Sequence, residues 1–209
     1  MFFLLFGSSG AGKTSVLGKL RGRVASLVLH DFDEIEVPAG ADTAWRHRAE
    51  EQWVRRALDY EARGDDLLLA GQAPLGELLA APSAPRLEAI SACLLDCDDA
   101  TRIERLHARG SQWLERAGAG LQDYLNWAAW MREHASDPSS RPEVIKHQAT
   151  LNEMRWSRWE GWPIDDPRWR VHVIDTSALP VEGVADEVVE WINAETELFR
   201  SGAHPLARR

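Results

Sequence analysis

Five apolar residues, Phe2–Phe6, run straight into Gly7-Ser8-Ser9-Gly10-Ala11-Gly12-Lys13-Thr14, and a helical pattern begins directly behind them. This opening constrains the fold more than any other stretch. A short apolar run bounded by glycine reads as a buried strand, and the next eight residues satisfy the spacing G-x-x-x-x-G-K-[ST] in the strand-then-helix setting that gives it meaning. Glycines let such a loop turn successive N–H groups inward, and the start of the following helix adds partial positive charge. The expected product is a phosphate cradle made of Gly7, Ser8, Ser9, Gly10, Ala11, Gly12, Lys13, Thr14 and Ser15. Lys13 would bring a point charge to the β- and γ-phosphates, and the Thr14 hydroxyl would ligate Mg²⁺. The only other lysines are Lys19 and Lys146, so a lysine here is not an effect of composition. A dinucleotide fingerprint would require its third glycine where Ser15 stands.

Beyond the loop, Leu27–Leu29, Leu67–Ala70, Ala92–Leu95 and Val171–Ile174 read as four more buried strands separated by helical patterns, which implies a parallel sheet covered on both faces. Trp45, Ala49, Trp53, Ala57 and Tyr60 mark one face of a helix that Asp42 caps and Gly64 ends. Asp98 or Asp99 caps a second helix that stops at Gly110, and a last helix spans about Val181–Phe199. Residues 1–110 and 171–200 form the core, and 111–170 form an insertion too long for an ordinary connection. A helix ending at Asp137-Pro138 and a second one starting near Pro142 are expected in it. Of the insertion's seven tryptophans, Trp113, Trp127, Trp130, Trp156, Trp159 and Trp162 are readable either as packing of a small subdomain or as a stacking surface for a flat ligand. Residues 201–209 read as a frayed tail.

With 209 residues the chain can bury one sizeable core. The net charge of −9 and the absence of a basic stripe argue against a grip on long nucleic acid. Charge is unevenly placed, however. Lys13, Lys19, Arg21 and Arg23 precede the first acidic residue, Asp31, so the phosphate end differs in sign from the acidic segment behind it. Phe2–Phe6 lacks the basic flank and length of a signal peptide, no run is long enough to span a membrane, and Cys93 and Cys97 read as reduced thiols. A cytoplasmic location is expected.

The second strand leads into His30-Asp31-Phe32-Asp33, at the sheet end where parallel α/β proteins build their sites. Alternation puts Asp31 and Asp33 on one side, where one carboxylate can hold magnesium and the other accept a hydroxyl proton. The third strand ends in Ala70-Gly71-Gln72 and offers no acid.

With these motifs the chain resembles the small P-loop kinases: shikimate kinase, gluconate kinase and, more distantly, the nucleoside monophosphate kinases and antibiotic phosphotransferases. The Asp31-x-Asp33 pair is similar to their acidic pair, "LLDCDDATRIERLHARG" to their fourth strand and lid helix, and "VIDTSALPVEGVADEVVEWI" to their last strand, adenine-contacting turn and final helix. The resemblance implies a three-layer α/β/α sandwich with a five-stranded parallel sheet in the order 2-3-1-4-5 and a helical, Trp-rich lid. It also implies ATP or GTP with Mg²⁺, Asp31 on the metal side, Asp33 as base, Arg105 and Arg109 on the phosphates, and Asp175, Thr176 and Ser177 near the base of the nucleotide. Trp45, Arg46, Arg48 and Gln72 lie in the segments such kinases use for the acceptor, with Asp33 also touching it. Arg116, Arg155 and Arg158 are further candidates from the insertion. The expected activity is transfer of the γ-phosphoryl group to a hydroxyl of a metabolite, nucleoside-like compound or antibiotic, with no membrane partner and the oligomeric state left open. Two alternatives are a nucleotide-dependent switch that binds a protein partner, and a kinase acting on nucleic-acid 5′ ends.

Overall fold

The computed structural model describes residues 1–110 and 120–208. Five parallel strands, β1 (Phe2–Phe6), β2 (Leu27–Asp31), β3 (Asp66–Gly71), β4 (Ile90–Asp96) and β5 (Val171–Asp175), form one sheet in the order β2-β3-β1-β4-β5. The central strand β1 is buried on both faces, and its side chains alternate between two cores, as the pleat requires. Phe3 and Leu5 join Val16 and Leu20 of α1 (Lys13–Leu20) and Val184, Val188 and Trp191 of the last helix, α6 (Val181–Arg200). Phe2, Leu4 and Phe6 join Trp53 of α2 (Thr43–Glu61), Leu75 and Leu78 of α3 (Leu75–Ala80), and the aromatic residues of the insertion. The result is the three-layer sandwich expected from the sequence.

The predicted start signals work as caps. The Asp42 carboxylate accepts from the Trp45 amide at 2.8 Å, and Asp98 accepts from Thr101 at 2.8 Å at the head of α4 (Asp99–Ala108). Helix α4 runs out at Gly110, which has φ +89°. The insertion contributes α5 (Leu121–Ser136), which ends before Asp137-Pro138. The second expected helix is absent among the described residues. Pro142–Ile145, Gln148–Thr150 and Trp156–Arg158 are short 3-10 turns, held by tertiary contacts that periodicity does not encode. Trp127 stacks on Trp130 at 4.8 Å, and Trp130 stacks on His134 at 4.6 Å. His134 in turn meets Trp159 and Trp169 edge-on. Trp130, Trp156, Trp159 and Trp169 are buried in the same core as the sheet, which favours packing over ligand stacking for these rings. Trp113 and Arg116 lie outside the described residues.

The C-terminal tail departs from expectation. His204 is buried and hydrogen-bonded to Ser91 at 2.8 Å, Ala207 bridges Ala89, and the Arg208 amide donates to Glu88 O at 2.7 Å. A buried carboxylate, Glu195, receives both His204 and Arg170, and it is this polar anchor that orders a segment read from sequence as frayed. No described helix is long and apolar enough to cross a membrane.

Candidate active site

At the C-terminal edge of the sheet, the loop after β1 wraps the start of α1. Gly10 and Gly12 adopt φ +87° and +94°, and a Cβ on Gly7 would stand 2.2 Å from Leu95 O, so glycine is required there by the neighbouring strand. Lys13 folds back to donate from Nζ to Gly7 O at 2.7 Å and Ser8 O at 3.2 Å. Burial lowers its pKa to about 8, with Arg109 and Arg102 adding to the effect and Asp31 opposing it.

The outer side of the loop is held by side chains the sequence did not single out. Arg102 of α4 is fully buried and donates to Ser9 O at 2.7 Å and to Asp96 Oδ1 at 2.5 Å. Arg132 of α5 binds the other Asp96 oxygen and also Cys97 O and Asp99. Ser8 Oγ donates to Tyr124 O at 2.9 Å, which ties the loop to α5. Arg105, expected on the phosphates, is instead engaged with Gly10 O at 3.2 Å, Thr176 Oγ1 at 2.9 Å and Thr176 O at 2.6 Å. Four residues further on, Arg109 reaches the cleft wall.

Asp31 ends β2 and caps a 3-10 turn, Phe32–Glu34. One carboxylate oxygen accepts from the Asp33 amide at 3.1 Å, and the other accepts from the Thr14 hydroxyl at 3.3 Å. Glu34 closes the capping box on the Asp31 amide and binds His30, whose other ring nitrogen meets Tyr60 OH at 2.8 Å. The turn is fixed from beneath by Trp53 Nε1, which donates to Phe32 O at 3.2 Å. This scaffold presents Asp33 at the cleft mouth, where the surrounding protein and then the Asp31 charge raise its pKa while Lys13 pulls the other way. Gly71 at the end of β3 permits the arrangement, because a Cβ there would meet Phe32 Cβ at 2.8 Å.

These elements surround one cleft of about 1460 Å³. Gly12, Lys13 and Thr14 of the loop line it together with Asp31, Asp33 and Gln72, Trp45 and Arg46 of α2, and Arg109, Tyr124 and Trp127. Arg48 is not among its lining residues. Two positions along a helix turn a side chain through roughly 200°, and Arg48 borders a separate small cavity with Glu51 and Gln52. Asp175, Thr176 and Ser177 also lie off the cleft wall. Thr176 is buried behind the loop and donates to Ala11 O at 3.2 Å, and Asp175 closes on Ser177. Arg158 donates to Leu79 O of α3 and to the Ala81 and Pro82 carbonyls just behind it, and Arg155 to those of Asn152 and Glu153. Among the described residues no cluster of three His, Cys, Asp or Glu is placed to hold a metal ion. The neighbouring hydroxyl of Thr14 and carboxylate of Asp31 are the sparse oxygen donor set that suits Mg²⁺, which completes its shell with water and phosphate.

Comparison with solved structures places this fold. A gluconokinase from Sinorhizobium meliloti 1021 aligns over 97% of this chain and 97% of its own, with a TM-score of 0.57 and 17% identity. A sugar kinase from Janibacter sp. HTCC2649 aligns over 92% of this chain and 94% of its own, with a TM-score of 0.55 and 13% identity. No protein-family model matches the chain, and no curated protein sequence matches it. The protein has a P-loop kinase-like fold, and at these identities the likeness speaks for the fold alone.

Proposed function

We propose that this protein is a phosphotransferase that moves the terminal phosphoryl group of ATP or GTP to a hydroxyl of a small molecule. One observation carries the reading: the glycine loop with Lys13 and Thr14 lines the same cleft as Asp31 and Asp33, with Thr14 and Asp31 in contact at 3.3 Å. In this reading the loop amides and Lys13 bind the phosphates, and Thr14 and Asp31 hold Mg²⁺. The metal supplies charge neutralisation at the transferring group when bound. Asp33, already raised toward the protonated form by its surroundings, accepts the proton of the acceptor hydroxyl. The acceptor oxygen forms the new P–O bond, the bond to the nucleoside diphosphate breaks, and that diphosphate leaves with the electron pair. Arg109, on the cleft wall, is positioned to follow the charge on the equatorial oxygens.

Asp33→Asn is expected to lower transfer by about 10²–10⁴-fold, the usual weight of a general base, while nucleotide binding by calorimetry stays near the parent value. Lys13→Ala is expected to weaken both. An Asp33→Asn protein as active as the parent would contradict the assignment.

A further inference from the structure

Arg46 is the cation on the acceptor side of the cleft, and it does not stand there as a bare charge. Nε donates to both oxygens of Glu77, at 3.1 and 2.8 Å, and Nη2 donates to Oε1 at 2.5 Å. Glu77 is fully buried. It sits in the otherwise apolar helix α3, and Arg46, with His47 Nε2 at 3.4 Å, holds it ionised against the burial that would protonate it. The guanidinium also lies over the Trp127 ring at 5.2 Å, and that ring stacks on Trp130. Arg46 is therefore locked in plane and position, with Nη1 as the donor not engaged by any described residue. One turn further along α2, Glu50 is fully buried with neither carboxylate oxygen hydrogen-bonded. Burial and the nearby Glu77 raise it well above the usual carboxylate range, so it adds no negative charge to the cluster. At the same end of the cleft, His147 Nε2 lies 3.7 Å from Asp42.

On the phosphotransferase reading, we propose that the acceptor is an uncharged hydroxylated molecule, selected by a hydrogen bond from Arg46 Nη1 while Glu77 cancels the charge that would attract a carboxylate or phosphate. An anionic acceptor brought here would be stripped of water beside an arginine already neutralised by a buried bidentate partner. It would also sit close to that partner's own negative charge. A neutral hydroxyl or carbonyl oxygen loses only ordinary hydration and regains it from Nη1. The acids of the turn carrying Asp33 point the same way, because they disfavour a second anion next to the reacting hydroxyl.

The test uses matched probe pairs on the full chain with Mg²⁺ and a non-hydrolysable ATP analogue: glucitol against gluconate, methyl glucoside against methyl glucuronide, and uridine against its 5′-monophosphate. Thermal shift reads binding, and phosphoryl transfer from ATP reads turnover. At least one neutral member is expected to bind, with about tenfold or greater preference over its acidic partner. Equal or tighter binding of the acidic members, or binding by none of the neutral ones, overturns the inference. Absence of any shift with the nucleotide analogue alone strikes the phosphotransferase reading itself, so the two failures are distinguishable. Glu77→Gln, with folding checked by circular dichroism, is expected to move the acid-to-neutral ratio about tenfold toward the acids by releasing the Arg46 charge. A folded Glu77→Gln protein with an unchanged ratio removes Arg46 from the selecting role, and if that variant fails to fold the parent's pair preference decides.

Discussion

Lys13 is folded back onto its own loop, which the proposed function assigns to the phosphates. Two of its three ammonium donors hold the carbonyls of Gly7 and Ser8, which on the phosphotransferase reading leaves the third for a phosphate oxygen. With the pKa lowered to about 8 from 10.5, the charged form costs stability. That cost is fully present below about pH 8 and is relieved as pH rises toward the unfolded value, because the unfolded chain then binds more protons than the native one. Bound phosphates shift the balance back toward the ammonium. Nucleotide binding near pH 8 should therefore take up protons and weaken as pH rises further. Calorimetry in two buffers of different ionisation enthalpy measures this uptake, and a proton count near zero at pH 8 would contradict the lowered pKa. Lys13, Thr14 and Asp31 were legible in the sequence because their chemistry depends on local spacing. The Arg46–Glu77 pair was not, since it joins two helices. Arg46 and Arg48 are also indistinguishable until the phase of α2 is known. One signal for the pair was present, a glutamate in the apolar stretch Leu75-Gly76-Glu77-Leu78-Leu79, because an ionised residue there needs a buried partner.

Among the elements, the Phe32–Glu34 turn decides where the proposed base stands, and Gly71 of β3 decides whether that turn fits. Gly71→Ala would press a methyl group against Phe32 Cβ, at a cost of about 1–3 kcal/mol for an overpacked site. The expected signature is a modest fall in melting temperature with a larger fall in kcat, while the nucleotide dissociation constant holds, because the phosphate loop lies on β1 rather than β3. Loss of nucleotide binding in step with kcat would show that the turn and loop do not move independently. The strands and the capped helices were readable because apolar periodicity and Asp or Gly punctuation are properties of contiguous residues. The 3-10 turns of the insertion escaped because their order comes from elsewhere. Arg158 ties the third of them to Leu79 O of α3 and to Pro82 O behind it, and His47 of α2 binds Thr150 Oγ1 at 2.6 Å and Ile145 O at 2.8 Å.

At the scale of the whole molecule, the described part of the insertion shares its hydrophobic core with the sheet, and Trp159 is the joint. It is buried, donates from Nε1 to Gly76 O at 2.8 Å, and contacts His134, Trp156 and Trp169. Trp159→Ala is expected to cost about 3–5 kcal/mol. Parent unfolding followed by indole emission and by far-ultraviolet circular dichroism should superimpose as one transition, whereas two separated midpoints would mark the insertion as an independent unit. The same continuity bears on the phosphate loop, whose outward carbonyls are clasped by Arg102 and Arg105 and whose Ser8 is tethered to α5. These contacts belong to the fold itself, so on the phosphotransferase reading an arriving triphosphate would meet a finished mould. Capture should then proceed in a single phase with a rate linear in nucleotide concentration, leaving any slower rearrangement to the arrival of the second substrate.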